Sequence, residues 1–181
     1  MRSGVLLMRP CGAAGETGRK GVNVRAFLVI LVGTVALAAP SATAAATVHV
    51  YFAYGEHGVA VHRQASAAAP AAAAVRALLK GPTATERDHG LSSAVPTGTR
   101  LLGLNIRDRV ANVDLSRRFA SGGGSLSMSI RLGQLVYTLT AIRGVDAVSL
   151  RIEGRVVHVF SGEGLILQQP LTRAAYTDFV P

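Results

Sequence analysis

The sequence predicts an α+β fold: a mostly antiparallel sheet of about six strands in three hairpins, with two helices packed on one face. Three observations predict it. Short runs alternate apolar and polar residues, the period of half-buried strands, and they come in pairs. Two other segments repeat their apolar residues at helical spacing. The order of the segments is β-β-α-β-β-α-β-β, and hairpins separated by single helices favour this layered arrangement.

Thr47–Tyr54, TVHVYFAY, alternates Val48, Val50 and Phe52 with His49, Tyr51 and Ala53. Residues 55–58 make a turn, and Val59, Val61 and Arg63 share one face of the strand that follows. Pairing Tyr54 with Val59 sets Phe52 opposite Val61 and Tyr51 opposite His62, so apolar meets apolar and polar meets polar. Pro70 suits a helix first turn. Ala71, Ala74, Val75, Leu78 and Leu79 form one apolar stripe, and Gly81-Pro82 stops the helix. A loop is expected up to Gly98.

The second hairpin sets Leu102, Leu104 and Ile106 inward on one strand and Ala111, Val113 and Leu115 inward on the next. Its turn, Arg107-Asp108-Arg109, has no glycine. Gly122-Gly123-Gly124 breaks the chain, and Ser125 or Ser127 is expected to cap the second helix. Met128, Leu132, Leu135, Leu139 and Ile142 recur at spacings of 4, 3, 4 and 3, with Val136 beside them. Tyr137 and Thr138 are expected on the polar side, near a surface. The third hairpin turns Val148, Leu150 and Ile152 inward, reverses at Glu153-Gly154 and returns through Val157 and Val159. The last twenty residues read as a loop and an irregular tail packed on the domain.

Ahead of this domain, residues 1–44 read as a secretion signal. Arg19, Lys20 and Arg25 end a positive n-region, residues 1–25. Residues 26–39 are an apolar run of 14, short for a membrane span of ~20. Ser41, Ala42, Thr43 and Ala44 follow Pro40 and fit small-residue cleavage near Ala44, with Ala46 as the alternative. An uncleaved leader is the one expected membrane contact. No Leu-x-x-Cys lipobox precedes the domain.

The only cysteine is Cys11, in that leader, so residues 47–178 have no disulfide, thiolate metal site or cysteine nucleophile. The formal charge is +9; without the leader, fourteen basic residues face nine acidic ones, a formal +5. A basic exported domain favours anionic polymers or surfaces. Nucleic acid fits that sign but not the compartment.

Five strings in order resemble one family: LLKGP (78–82), GLSSAVPTGTRL (90–101), VDLSRRF (113–119), LGQLVYTLTAIRGVDAVSLRIEGR (132–155) and PLTRAAY (170–176). Together they resemble the GerMN domain of spore-germination proteins across nearly all of 47–178. The resemblance implies an extracytoplasmic protein, mostly of Gram-positive bacteria, linked to sporulation, germination and the peptidoglycan envelope. It implies an α+β fold similar to ring-building modules. It brings no catalytic residues to carry over.

The residues themselves offer little chemistry. Glu56, Asp108 and Glu153 sit in turns, Glu86, Asp88 and Glu163 in loops, Asp178 in the tail, and Asp114 and Asp146 beside strands. Turn acids mostly serve turns, and no pair stands out for glycoside hydrolysis. His49 and His62 fall on one polar face as diagonal neighbours, without a His-Glu-x-x-His motif or an acid partner. Ser161 lacks the glycine of a nucleophile elbow. Arg117, Arg118 and Ser125 border a helix start, where free amides and guanidinium groups suit an anion. They are the binding candidates. No catalytic residue, metal or cofactor is expected. The expected role is a non-enzymatic cell-envelope module that binds a wall polymer or an envelope protein. A self-assembling scaffold, and hence a homo-oligomer, is one alternative; an envelope hydrolase is the other.

Overall fold

The computed structural model describes residues 45–160 and 164–180. The leader with Cys11, and the segment holding Ser161 and Glu163, lie outside the described residues. The core is drawn from residues 48–179, and the described residues from 45 onward form one compact unit.

β1 (Ala45–Tyr54) and β2 (His57–Ser66) pair antiparallel. Phe52 lies opposite Val59, Val50 opposite Val61 and Tyr54 opposite His57. This register is two residues tighter than the one the alternation suggested. Gly55 takes φ 61° at the first turn position, so two residues close the hairpin where four were expected. An even shift keeps each side chain on its face. Val48, Val50 and Phe52 are therefore buried as anticipated.

α1 (Pro70–Lys80) begins at its proline and stops at Gly81, which takes φ 83°. The expected loop contains α2 (Ala84–Asp88) and β3 (Leu91–Ser92). A capping box starts α2. The Thr83 hydroxyl accepts from the Glu86 backbone N–H, and the Glu86 carboxylate accepts from the Thr83 N–H. The same carboxylate takes two bonds from Arg63, at 2.7 and 2.6 Å. β3 pairs with the end of β1, giving the order β2-β1-β3.

β4 (Leu101–Arg107) and β5 (Val110–Leu115) form the second hairpin. Its turn works without glycine because Asp108 and Arg109 both adopt positive φ, 49° and 63°. Ala111, Val113 and Leu115 are fully buried. On β4 the expected inward row fails, since Leu102 and Ile106 are exposed and Leu104 is half-buried. A register shift between Leu101 and Gly103 takes Leu102 out of the ladder, and β4 is an outer strand that α1 covers in part.

α3 (Ser125–Thr140) then crosses over to β6 (Ala147–Ile152), which runs parallel to β5. Hairpin pairing alone does not account for this pair; a strand, a long helix and a second strand are the ingredients of parallel pairing. β7 (Arg155–Val156) completes the order β4-β5-β6-β7. The third hairpin ends early. Val157 leaves the ladder, and β8 (Val159–Phe160) pairs with β9 (Leu165–Ile166) as a separate ribbon. Val159, expected inside, is exposed, and Phe160 is buried in its place. The class is α+β as expected. The strands fall into three small sheets rather than one, and α1 and α3 pack on each other and on strands of the two larger sheets.

α3 is buried on two sides. Met128, Leu132, Leu135, Val136 and Leu139 enter the core as the spacing predicted. Arg131, Gln134 and Thr138 are also buried and form a polar seam. Gln134 donates to Tyr51 O (3.2 Å) and accepts from Ala94 N (2.9 Å), while the Thr138 hydroxyl accepts from Tyr51 N at 3.0 Å. The seam thereby satisfies a stretch of β1 edge that no strand among the described residues reaches. This is why Tyr137 and Thr138, expected near a surface, are 6% and 0% exposed. The tail ends in a 3-10 turn, Arg173–Phe179, whose Phe179 ring packs against Gly58 and Gly133.

Candidate functional site

The three sequence candidates occupy one stretch but do not converge. Ser116 starts a 3-10 turn, Arg117–Ala120, that drives Phe119 into the core and leaves Arg117 and Arg118 exposed. Arg117 lines a shallow pocket with Ile152, Glu153 and Arg155, and its backbone N–H donates to the Glu153 carboxylate at 2.9 Å. Arg118 donates through Nε to Thr97 O at 3.1 Å. Ser125 is the first residue of α3, not its cap. Gly124 holds the N-cap position, and no side chain caps the helix.

Sequence reasoning missed Arg131, which lies 2% exposed beneath this stretch. Its guanidinium donates to the carbonyls of Ala94 (2.8 Å), Phe119 (2.7 Å), Ser121 (3.3 Å) and Gly122 (2.8 Å). Among the described residues no carboxylate pairs with it. Burial pushes its pKa below the ordinary arginine value. One charge thus gathers the glycine-rich loop, and its role is structural.

A second group of side chains lies on the outer face of the first hairpin. Thr47, His49 and Tyr51 project from β1, with Gln64, His62 and Ala60 directly opposite on β2. The two imidazoles face each other, not diagonally, with ring centroids 4.6 Å apart and planes at 80°. Two nitrogen ligands fall short of a metal centre, and among the described residues no group of three or more His, Cys, Asp or Glu could hold one. The half-buried Tyr51 ring rests on Tyr137, with centroids 5.4 Å apart. Arg173 lies over Tyr137 at 4.7 Å and near Tyr51 at 6.0 Å, a cation–π arrangement. Its Nε donates to Thr140 Oγ1 at 2.7 Å, and an Nη donates to Tyr137 O at 3.4 Å.

A cleft of about 730 Å³ lies between α3, β9 and the tail. Leu126 and Ile130 of α3, Ile166 and Leu167, and Tyr176 and Phe179 make it apolar. Leu126 and Ile166 are 55% and 75% exposed. Glu56, His57 and Asp178, all exposed, also line it, as do Ser129 and Gln168. His57 Nδ1 lies 3.3 Å from the backbone oxygen of Asp178 rather than its carboxylate. Burial raises the Tyr176 hydroxyl to about 12.

The Germane family model, described as sporulation and spore germination, matches residues 49–158. This chain belongs to the Germane family.

Solved structures carry the same fold. The tandem GerMN domains of the sporulation protein GerM from Bacillus subtilis align with a TM-score of 0.62 at 19% identity, over 72% of this chain and 47% of that one. This chain therefore spans about half the length of the tandem structure. The first GerMN domain of the same protein gives 0.58 at 22% identity, over 71% of this chain and 98% of that one. A Clostridium perfringens protein described as a lipoprotein gives 0.54 at 16% identity, over 79% and 97%. No curated protein matches the chain.

The Germane match spans β1 to β7 and so includes His49, Tyr51, His62 and all of α3. Arg173, Phe179 and the β8–β9 ribbon lie beyond it. This Germane domain thus braces its first hairpin and walls its cleft partly with residues outside the matched span.

Proposed function

We propose that this Germane-family chain is an exported module of the cell envelope that binds a wall polymer or an envelope protein and catalyses no reaction. The observation that carries this reading is the chemistry of the cleft between α3, β9 and the tail. Its lining is more apolar than polar, and its Glu56, His57 and Asp178 are all exposed. A glycosidase sets its acid and base carboxylates in a partly dry site around the scissile bond. Glu56 and Asp178 are exposed and lack that shelter. The leader supports export, and the likeness to GerM and to a lipoprotein fits an envelope setting.

The test is to mix residues 41–181 with purified peptidoglycan sacculi over a range of salt, measuring both retained protein and released soluble fragments. Retention that weakens as salt rises, with no release, is expected of a basic binding module. Fragment release above that of heat-inactivated protein would overturn the non-enzymatic reading. Substituting Arg117 and Arg118 together reports whether the exposed pair contributes to the salt-sensitive part.

The exposed Leu126 and Ile166 favour a protein partner as the second reading, because exposed apolar patches mark interaction sites. A photocrosslinker at position 126 in the native envelope should then give a discrete adduct.

A further inference from the structure

We propose that the outer face of the β1–β2 hairpin is the polymer-binding site, and that its ligand is an acidic glycan, a chain of sugar rings carrying carboxylates. This rests on the reading of the protein as a wall-polymer module and names the ligand and its place.

Strand alternation builds the face. Val48, Val50 and Phe52 are buried in the core, so Thr47, His49 and Tyr51 project the other way, with Gln64, His62 and Ala60 beside them. Four strand steps separate Thr47 from Tyr51, so the face is about 13 Å long. Thr47, His49, Ala60, His62 and Gln64 are exposed, and Tyr51 is half-buried. Ala60, opposite Tyr51, carries only a methyl group beside the tyrosine.

Tyr51 is also held in place. Its backbone N–H and carbonyl bond to Thr138 and Gln134, and its ring rests on Tyr137. A fixed aromatic ring flanked by hydroxyl, amide and imidazole groups is the chemistry that recognises a sugar. The C–H face of the ring packs on the aromatic, and the hydroxyl groups find hydrogen-bond partners around it. Among the six face residues only Ala60 is aliphatic, which gives a lipid chain little to hold.

Arg173 gives the ligand its charge. Thr140 Oγ1, Tyr137 O and the Tyr137 ring hold the guanidinium at the end of the face. No carboxylate among the described residues neutralises it. None of the six face residues, nor Tyr137, Thr140 or Arg173, is acidic. A held guanidinium with spare N–H donors matches a carboxylate in charge and geometry.

The test measures binding of residues 41–181 to two probes of equal length: peptide-free glycan strands from peptidoglycan, which keep their lactyl carboxylates, and neutral chitin oligosaccharides. Variants are Arg173→Gln and the pair His49→Ala with His62→Ala, each checked for an unchanged circular-dichroism spectrum. Arg76→Gln, an exposed charge on α1, is the charge-matched comparison. The acidic strands should bind better than chitin. Arg173→Gln should weaken them roughly tenfold and abolish the preference, since one charge-assisted pair is lost; the histidine pair should weaken both probes; Arg76→Gln should change neither. Sacculus retention that survives all face variants would overturn the site while leaving the wall-binding reading intact. No sacculus retention by the unaltered protein would overturn both. Equal affinity for chitin would overturn the acidic-glycan assignment.

Discussion

Arg131→Ala tests how the glycine-rich loop is held. The guanidinium serves four carbonyls at 2.7 to 3.3 Å from a position 2% exposed. Hydrogen bonds to a charged group contribute ~1.5–3 kcal/mol each, but four on one side chain do not add. Ser121 is half-buried and Gly122 exposed, so water replaces the donor at their carbonyls. The Phe119 carbonyl, on a fully buried residue, and that of half-buried Ala94 have less access to water. Leaving two such acceptors without donors, and losing the buried stem, should cost about 3–5 kcal/mol. For a domain with a typical stability of ~5–15 kcal/mol that is a large fraction. Urea unfolding of residues 41–181 measures it, with the midpoint falling and the slope m unchanged. Arg131→Lys keeps the charge but replaces a planar fork by a point, and should lose about half as much. A loss under ~1 kcal/mol for Arg131→Ala would refute the reasoning, for it would mean that water serves those carbonyls equally well.

Other substitutions probe other contacts. Gly133→Ala sets a methyl 2.8 Å from Phe179 Cγ, so the tail must shift; a loss of about 1–3 kcal/mol in thermal unfolding is expected, and Gly133→Ala with Phe179→Leu should recover part of it. Val136→Asp buries an unpaired charge at a fully buried position and should leave little folded protein by circular dichroism. Arg63 and the Thr83 backbone lower the Glu86 carboxyl from 4.5 to about 2. A depressed carboxylate stabilises the fold above its ordinary value, so this contribution is lost as pH falls from about 4.5 through about 2. Stability measured against pH should flatten across that window in Glu86→Gln.

Local signals in the sequence are legible where one residue decides the outcome. Pro70 and Gly81 bound α1 as expected, and the 4-3-4-3 spacing found the core face of α3. The Thr83-x-x-Glu86 capping signature was also legible in principle, but a run of charges and small residues hid a helix of only five residues. The parallel β5–β6 pair was legible in the strand–helix–strand order rather than in any one string. What could not be read depends on distant partners. The polar residues of α3 are buried because Tyr51, Ala94 and the glycine-rich loop wait for them up to 87 positions away. Similarly, Gln169 bonds both backbone groups of Leu150, bridging an edge that the short β7 leaves open. The candidate site followed the same rule. Arg117 and Arg118 stood out as an adjacent pair, whereas Tyr51, Tyr137 and Arg173 come together only when the tail folds back.

The central claim is that the chain works outside the cytoplasm, on the wall. Fractionating cells that produce the full chain, and sequencing the N-terminus of the recovered protein, tests it most directly. The account predicts a mature form beginning at or just after Ala45, held in the wall fraction and released by salt. Full-length protein in the cytosolic fraction would contradict it.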